Sequence, residues 1–168
     1  MEKLDIDKKE HALFMLERFS TMKNDEKACD FVIKVEEKEM KAHQNILIAG
    51  SDYFDAMLSH DTVEKQNGMV DMKGVSFSSV QKCVEFIYTG EIEISLEECD
   101  DLLFVVDTMQ LQLLQENIIR FLESSLVVKD FHQVKSIAIK YDLKQLDTAC
   151  DEFALDNLDL LSKENFFT

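Results

Sequence analysis

The strongest constraint in this chain is a missing residue: 168 positions contain no proline and only four glycines. Proteins on average devote about 5% of their positions to proline, and folds rich in tight turns need proline and glycine to make them. Long helices joined by short polar turns fit this composition better than an all-β fold. The length suits one complete domain plus the beginning of a second. Hydrophobic residues at 46% beside 31% charged residues suit a chain that folds to a packed core.

The apolar positions then place the elements. Between Lys8 and Lys23, Ala12, Leu16, Phe19 and Met22 recur at helical spacing, and Leu13, Phe14 and Met15 widen the stripe. A helix this apolar needs a covering surface, and a second copy of the chain is the expected one. Asp30–Val35 is β-branched and aromatic, and with "MKAH" after a polar turn it predicts a hairpin. Two short helices follow, broken near Gly50 and Ser51, with Ser51 or Asp52 as the cap of the second.

Residues 61–68, "DTVEKQNG", have no apolar period and are expected to form a loop. "MVDM" predicts a third strand, Phe77–Tyr88 a helix closed by Gly90, and the alternation in "EIEI", Glu91–Ile94, a fourth strand. The rest reads as helix. Ser95 with Glu98 matches a capping box, Asp130 can cap a helix carrying Val134, Ile137 and Ala138, and a final apolar face runs from Leu146 through Leu158. The fold class is therefore α+β, predominantly helical, with a small sheet. Phe166 and Phe167 close the chain on two aromatics, which suggests that it stops inside a longer protein.

The net charge of −16, with 34 acids against 18 bases, opposes phosphate binding, so the expected partners are proteins rather than nucleic acid. The N-terminus lacks the features of a signal peptide, and no window approaches the apolar length of a membrane span. Cys29, Cys83, Cys99 and Cys150 lie far apart in apolar patterns and read as reduced, buried thiols of an intracellular protein. Phosphate-loop, dinucleotide, nucleophile-elbow and zinc-protease motifs do not occur. His11, His43, His60 and His132 lack metal-ligand spacing, and Asp100 and Asp101 diverge by about 100° on a helix. The reading is a non-catalytic protein with no cofactor and no metal, in which His43 is a structural hinge from strand to helix.

Several segments, in order, carry a family resemblance. "ACDFVIKV", "KEMKAHQNILIAGSDYFDAML" and "VEFIYTGEIEI" resemble the BTB (POZ) domain pattern of C-D-V, A-H-x-x-L-A-x-x-S-x-Y-F-x-x-M and Y-T-G. The N-terminal helix, with His11 before its apolar positions, is similar to the dimerising helix of the Kelch-like branch. Residues 128–168 resemble the opening helices of a BACK domain, the 3-box, here truncated; residues 1–127 would be the BTB domain.

The resemblance implies a homodimeric adaptor that binds the cullin-3 N-terminal domain and brings a substrate, held outside this chain, to a RING ubiquitin ligase in the cytoplasm, with the nucleus as a second compartment. It places dimerisation on His11, Leu13, Phe14, Leu16, Phe19 and Met22. Cullin binding falls on Tyr53, Phe54, Met57, Leu58, Thr62, Val63 and Glu64, together with a groove formed with the 3-box. Structural roles fall on Asp30, His43, Tyr88 and Gly90. The family's hydrophobic-x-Glu motif aligns with Thr62-Val63-Glu64, so Thr62 stands where a larger apolar residue is expected. The alternative is an oligomerising, transcription-regulatory BTB protein without a ligase. In that branch a basic residue follows the A-H dipeptide; this chain has Gln44 there.

Overall fold

The computed structural model describes residues 7–164. The described residues fall into two compact units, one running to Ile94 and taking in Phe104–Leu111, the other made of Ser95–Leu103 and the described residues from Gln112.

The first unit opens with helix α1 (Lys8–Asn24), whose first turn is capped by the Asp7 carboxylate accepting the Lys9 N–H at 2.8 Å. Strands β1 (Phe31–Val35) and β2 (Lys38–Ala42) form the antiparallel hairpin that the sequence predicts. In β1, Phe31, Ile33 and Val35 are buried while Val32 and Lys34 are partly exposed, the period of two that a strand covered on one face requires. Helices α2 (Gln44–Gly50), α3 (Asp52–Ser59) and α4 (Val63–Asn67) then cross over to β3 (Met69–Met72), which pairs with β1 in parallel. The sheet order is β2-β1-β3. Helix α5 (Phe77–Thr89) buries Val80, Cys83, Val84 and Tyr88 on one face and ends where Gly90 turns left-handed at φ 72°, its N–H returning to the Phe86 carbonyl at 2.8 Å.

The close contact of α2 with α5 explains a glycine. A Cβ at Gly50 would lie 2.4 Å from Cγ2 of Ile87, so any side chain there must displace a packed neighbour.

Two expectations fail here. Glu91–Ile94 alternates but pairs with no strand among the described residues. Alternation sets which side chains share a face and supplies no partner; instead Thr89 Oγ1 accepts the Glu91 N–H at 3.1 Å and Lys82 Nζ donates to the Glu93 carbonyl at 2.9 Å. Residues 61–68 are also more ordered than their polarity predicts, since they contain α4.

In the second unit, Ser95 and Glu98 form the capping box read from the sequence, the Ser95 N–H donating to the Glu98 carboxylate at 3.1 Å ahead of α6 (Cys99–Thr108), whose residues from Phe104 on count with the first unit. Helix α7 (Gln112–Ser124) buries Leu114, Ile118 and Leu122, α8 (Phe131–Lys140) buries Phe131, Val134, Ile137 and Ala138, and α9 (Lys144–Asp156) buries Leu146 and Cys150. Phe131 and Phe153 stack at 6.0 Å, and Lys135 bridges Asp147 and Asp151 at 2.6 Å each. Asp130 does not cap α8: its carboxylate lies 3.6 Å from Lys129, and the 3-10 turn Val128–Asp130 leads the chain into the helix. The last apolar face also stops early, because α9 ends at Asp156 and Leu158, exposed, begins α10 (Leu158–Glu164). Phe166 and Phe167 lie outside the described residues.

A strained position yields a stability test. Ala28 sits in the left-handed region at φ 59°, which costs a residue with a Cβ about 1–2 kcal/mol. Glycine removes that cost but gains unfolded-state entropy of about 0.4–1 kcal/mol. Ala28→Gly is expected to raise stability by about 0.5–1 kcal/mol in urea unfolding.

Candidate functional site

The surface that the sequence marks for a partner lies on α3, α4 and the turn between them. Ser51 starts α3: its Oγ accepts the Phe54 N–H at 3.3 Å and donates to the Met109 carbonyl at 2.6 Å. That second bond ties the first turn to the core. Asp52 and Asp55 in the same turn sit favourably on the helix dipole.

Helical spacing then divides the marked residues. Phe54 and Leu58, four apart, point inward and are 0% and 1% exposed. Phe54 meets Phe31 of β1 edge-on, and neither residue offers a partner any surface, which corrects their assignment as contact residues. Tyr53 and Met57, also four apart, are half-buried on the adjoining outer side. The Tyr53 ring packs edge-on to Phe54 at 5.2 Å. Its phenol is pushed up mainly by burial and further by the Glu64 carboxylate of α4.

Thr62 has a role that an apolar residue could not fill. Its Oγ1 accepts the Lys65 N–H at 3.2 Å, capping α4, and donates to the Met57 carbonyl at 2.8 Å, joining α4 to the end of α3. Gly68 closes α4 in the left-handed conformation at φ 64°. Capped at both ends, α4 places Val63 at its first position with 66% of its surface exposed, and Glu64, partly exposed, immediately after it. Tyr53 and Met57 on α3 and Val63 and Glu64 on α4 are thus the marked residues that keep accessible surface.

A second surface follows α1. Leu13 and Phe14 are 60% and 55% exposed, Met15 and His11 are exposed, and no residue of α1 is buried. Leu16, Phe19 and Met22 are half-buried on the side where α1 packs against α5. Leu13, Leu16 and Glu17 also line a groove whose other wall is Thr89 and Glu91.

His43 is a buried connector. Its backbone N–H donates to the Tyr88 hydroxyl at 2.8 Å, and that hydroxyl keeps its own hydrogen for Nδ1, also at 2.8 Å. Nε2 carries the ring proton, because its partner at 2.9 Å is the Lys27 carbonyl, which only accepts. The sequence supplies the hinge role of His43; Tyr88, 45 positions away, supplies the partner. Burial pushes the Tyr88 phenol up to about 12, the His43 N–H acting in the opposite direction. Asp30 caps α2 by accepting the Gln44 N–H at 2.8 Å, and the Gln44 amide donates back to the Asp30 carbonyl at 3.2 Å. Among the described residues, no group of three or more His, Cys, Asp and Glu could hold a metal ion, and no helix is long and apolar enough to cross a membrane.

Comparison with known proteins bears on the family and the fold. The BTB/POZ domain family model matches residues 19–126. Kelch-like protein 36 of Rattus norvegicus is 28% identical over 152 residues, 90% of this chain and 25% of that protein. Kelch-like protein 24 of Homo sapiens is 29% identical over 157 residues, 94% of this chain and 26% of that protein. The chain thus spans about a quarter of the length of these curated relatives. Among solved structures, the BTB domain of zebrafish PATZ1 superposes with a TM-score of 0.66 at 21% identity, covering 74% of this chain and all of that one. The BTB domain of human Gigaxonin gives 0.62 at 21% identity, covering 72% of this chain and 98% of that one.

Proposed function

Because the chain belongs to the BTB/POZ domain family, we propose that it is the non-catalytic substrate-adaptor module of a cullin-3 RING ubiquitin ligase, homodimeric through α1 and bound to the cullin N-terminal domain through α3 and α4. Residues 128–168 serve in this reading as the first helices of a BACK domain, and the substrate is held elsewhere in a longer protein. The ligase works in the cytoplasm, with the nucleus as a second compartment.

The observation that carries the reading is the exposed Val63 beside Glu64. Alignment with the family's hydrophobic-x-Glu motif puts Thr62 at the apolar position, but its hydroxyl is committed to the Lys65 N–H and the Met57 carbonyl. Val63 takes over as anchor, one residue later. A valine side chain fully buried by a partner contributes about 1.5–3 kcal/mol, and Tyr53 and Met57 widen the contact. The Kelch-like relatives, matched over nine-tenths of this chain, support the adaptor reading. The regulatory alternative is less well supported, because Asp30 faces neutral Gln44 rather than a base.

Two changes test the assignment. Val63→Asp is expected to abolish co-elution with the cullin-3 N-terminal domain in size-exclusion chromatography, while Leu13→Asp with Phe14→Asp is expected to yield a monomer that still binds it. Unchanged co-elution of Val63→Asp would remove α4 from the interface. Sedimentation of the parent chain at twice its 19.5 kDa is expected, and a monomer mass at micromolar concentration would contradict the dimer.

A further inference from the structure

The turn that closes α4 carries a reactive pair. Of the six asparagines, Asn24, Asn45, Asn67, Asn117, Asn157 and Asn165, only Asn67 precedes a glycine. The nitrogen of Gly68 can reach the Asn67 side-chain carbon without a Cβ obstructing it, whereas Ile46, Ile118 and Leu158 crowd the equivalent approach after Asn45, Asn117 and Asn157. The Asn117 and Asn157 amides are also held by the Leu113 and Phe153 carbonyls at 2.7 and 2.9 Å. Asn67 is exposed, and among the described residues its amide has no hydrogen-bond partner.

The local fold resists the reaction only weakly. The Gly68 N–H is shared between the Glu64 and Lys65 carbonyls, the latter at 3.2 Å, at the end of a five-residue helix with no buried residue. Such a turn opens locally at little free-energy cost.

We propose that Asn67–Gly68 is a spontaneous modification site, at which the chain ages by deamidation and loosens the α4 surface. The Gly68 nitrogen adds to Asn67 Cγ and gives up its proton as the side-chain nitrogen leaves as ammonia, closing a five-membered imide. Water then opens the ring. Attack at Cγ leaves aspartate; attack at the main-chain carbonyl leaves isoaspartate, with the backbone running through Cγ and one methylene longer. No oxidant or reductant takes part.

The site's position gives the change its effect. The Gly68 carbonyl accepts the Val32 N–H at 2.9 Å, and the next residue, Met69, is in register with Val32 in the parallel β1–β3 pair. A longer backbone at this joint shifts that carbonyl and withdraws the fixed end from which α4 presents Val63 and Glu64. The predicted loss of cullin binding rests on the function proposed above; the chemistry does not.

Ageing the folded chain at neutral pH and 37 °C, with labelling by protein isoaspartyl methyltransferase and peptide mapping, tests both parts. Isoaspartate at position 67 is expected to exceed that at every other asparagine several-fold, and Asn67→Gln is expected to lose the signal without loss of fold. Isoaspartate absent from position 67, or spread evenly over Asn24, Asn45 and Asn67, overturns the site. Repurified isoaspartate-67 protein is expected to bind the cullin-3 N-terminal domain several-fold more weakly than fresh protein, and equal binding overturns the loosening. If fresh protein fails to bind at all, the proposed function falls while the modification site stands.

Discussion

Replacing Phe54 with alanine is expected to cost about 3–5 kcal/mol of folding stability, enough to abolish the cooperative transition of a marginal domain. Phe54 is fully buried, edge-on to Phe31 at 6.4 Å and to Tyr53 at 5.2 Å, and its own N–H is taken by the Ser51 cap. Truncation therefore leaves a cavity where α3 meets the sheet. Tyr53→Ala, one residue earlier on the same helix, removes a half-buried ring and is expected to cost clearly less. Urea unfolding of the two variants reads the difference directly. Equal losses would mean that the inner and outer sides of α3 are misassigned.

Tyr88→Phe is expected to have the next largest effect, although it removes a single oxygen. That oxygen accepts the His43 N–H and donates to Nδ1, and both groups are then left in a buried site without a partner. Leaving a buried polar group unsatisfied costs about 1–3 kcal/mol. The pH profile adds a signed test. The phenol titrates near 10.0 when unfolded and at about 12 in the fold, so its contribution is complete below pH 10 and is lost as pH rises toward 12. Tyr88→Phe is expected to be less stable than the parent at pH 8 and to lose less stability between pH 10 and 12. A variant as stable as its parent at pH 8 would contradict the proposed role of the hydroxyl.

The elements legible in the sequence are those whose cause is local. The helical period of Lys8–Lys23, the β-branched run before Val35, Ser51 as a cap, Gly90 as a left-handed stop and the Ser95–Glu98 box all specify structure within a few residues of themselves. Short α4 escaped for the same reason. Its five residues have no apolar period, and its stability comes from what flanks it: the Thr62 hydroxyl, which reaches back to Met57, and Gly68.

The EIEI segment shows the converse, a clear pattern with no strand beside it among the described residues. At the candidate site, the motif marks α3 as a whole, but only packing shows that Phe54 and Leu58 face the core while Tyr53 and Met57 face outward. The hydroxyl that makes Thr62 look wrong for an apolar contact is the group that positions Val63. His43 is legible as structural from its lone position in the sequence. Its partner is not, because the bond to Tyr88 spans 45 residues.

The proposed function requires α3 and α4 to dock a cullin. Isothermal titration of the cullin-3 N-terminal domain into the parent chain and into Val63→Asp tests it most directly. Saturable one-to-one heat is expected for the parent with a Kd below about 10 µM, roughly −7 kcal/mol or better, and no measurable heat for Val63→Asp in a folded protein. No heat from the parent, or equal affinity from both, would contradict it.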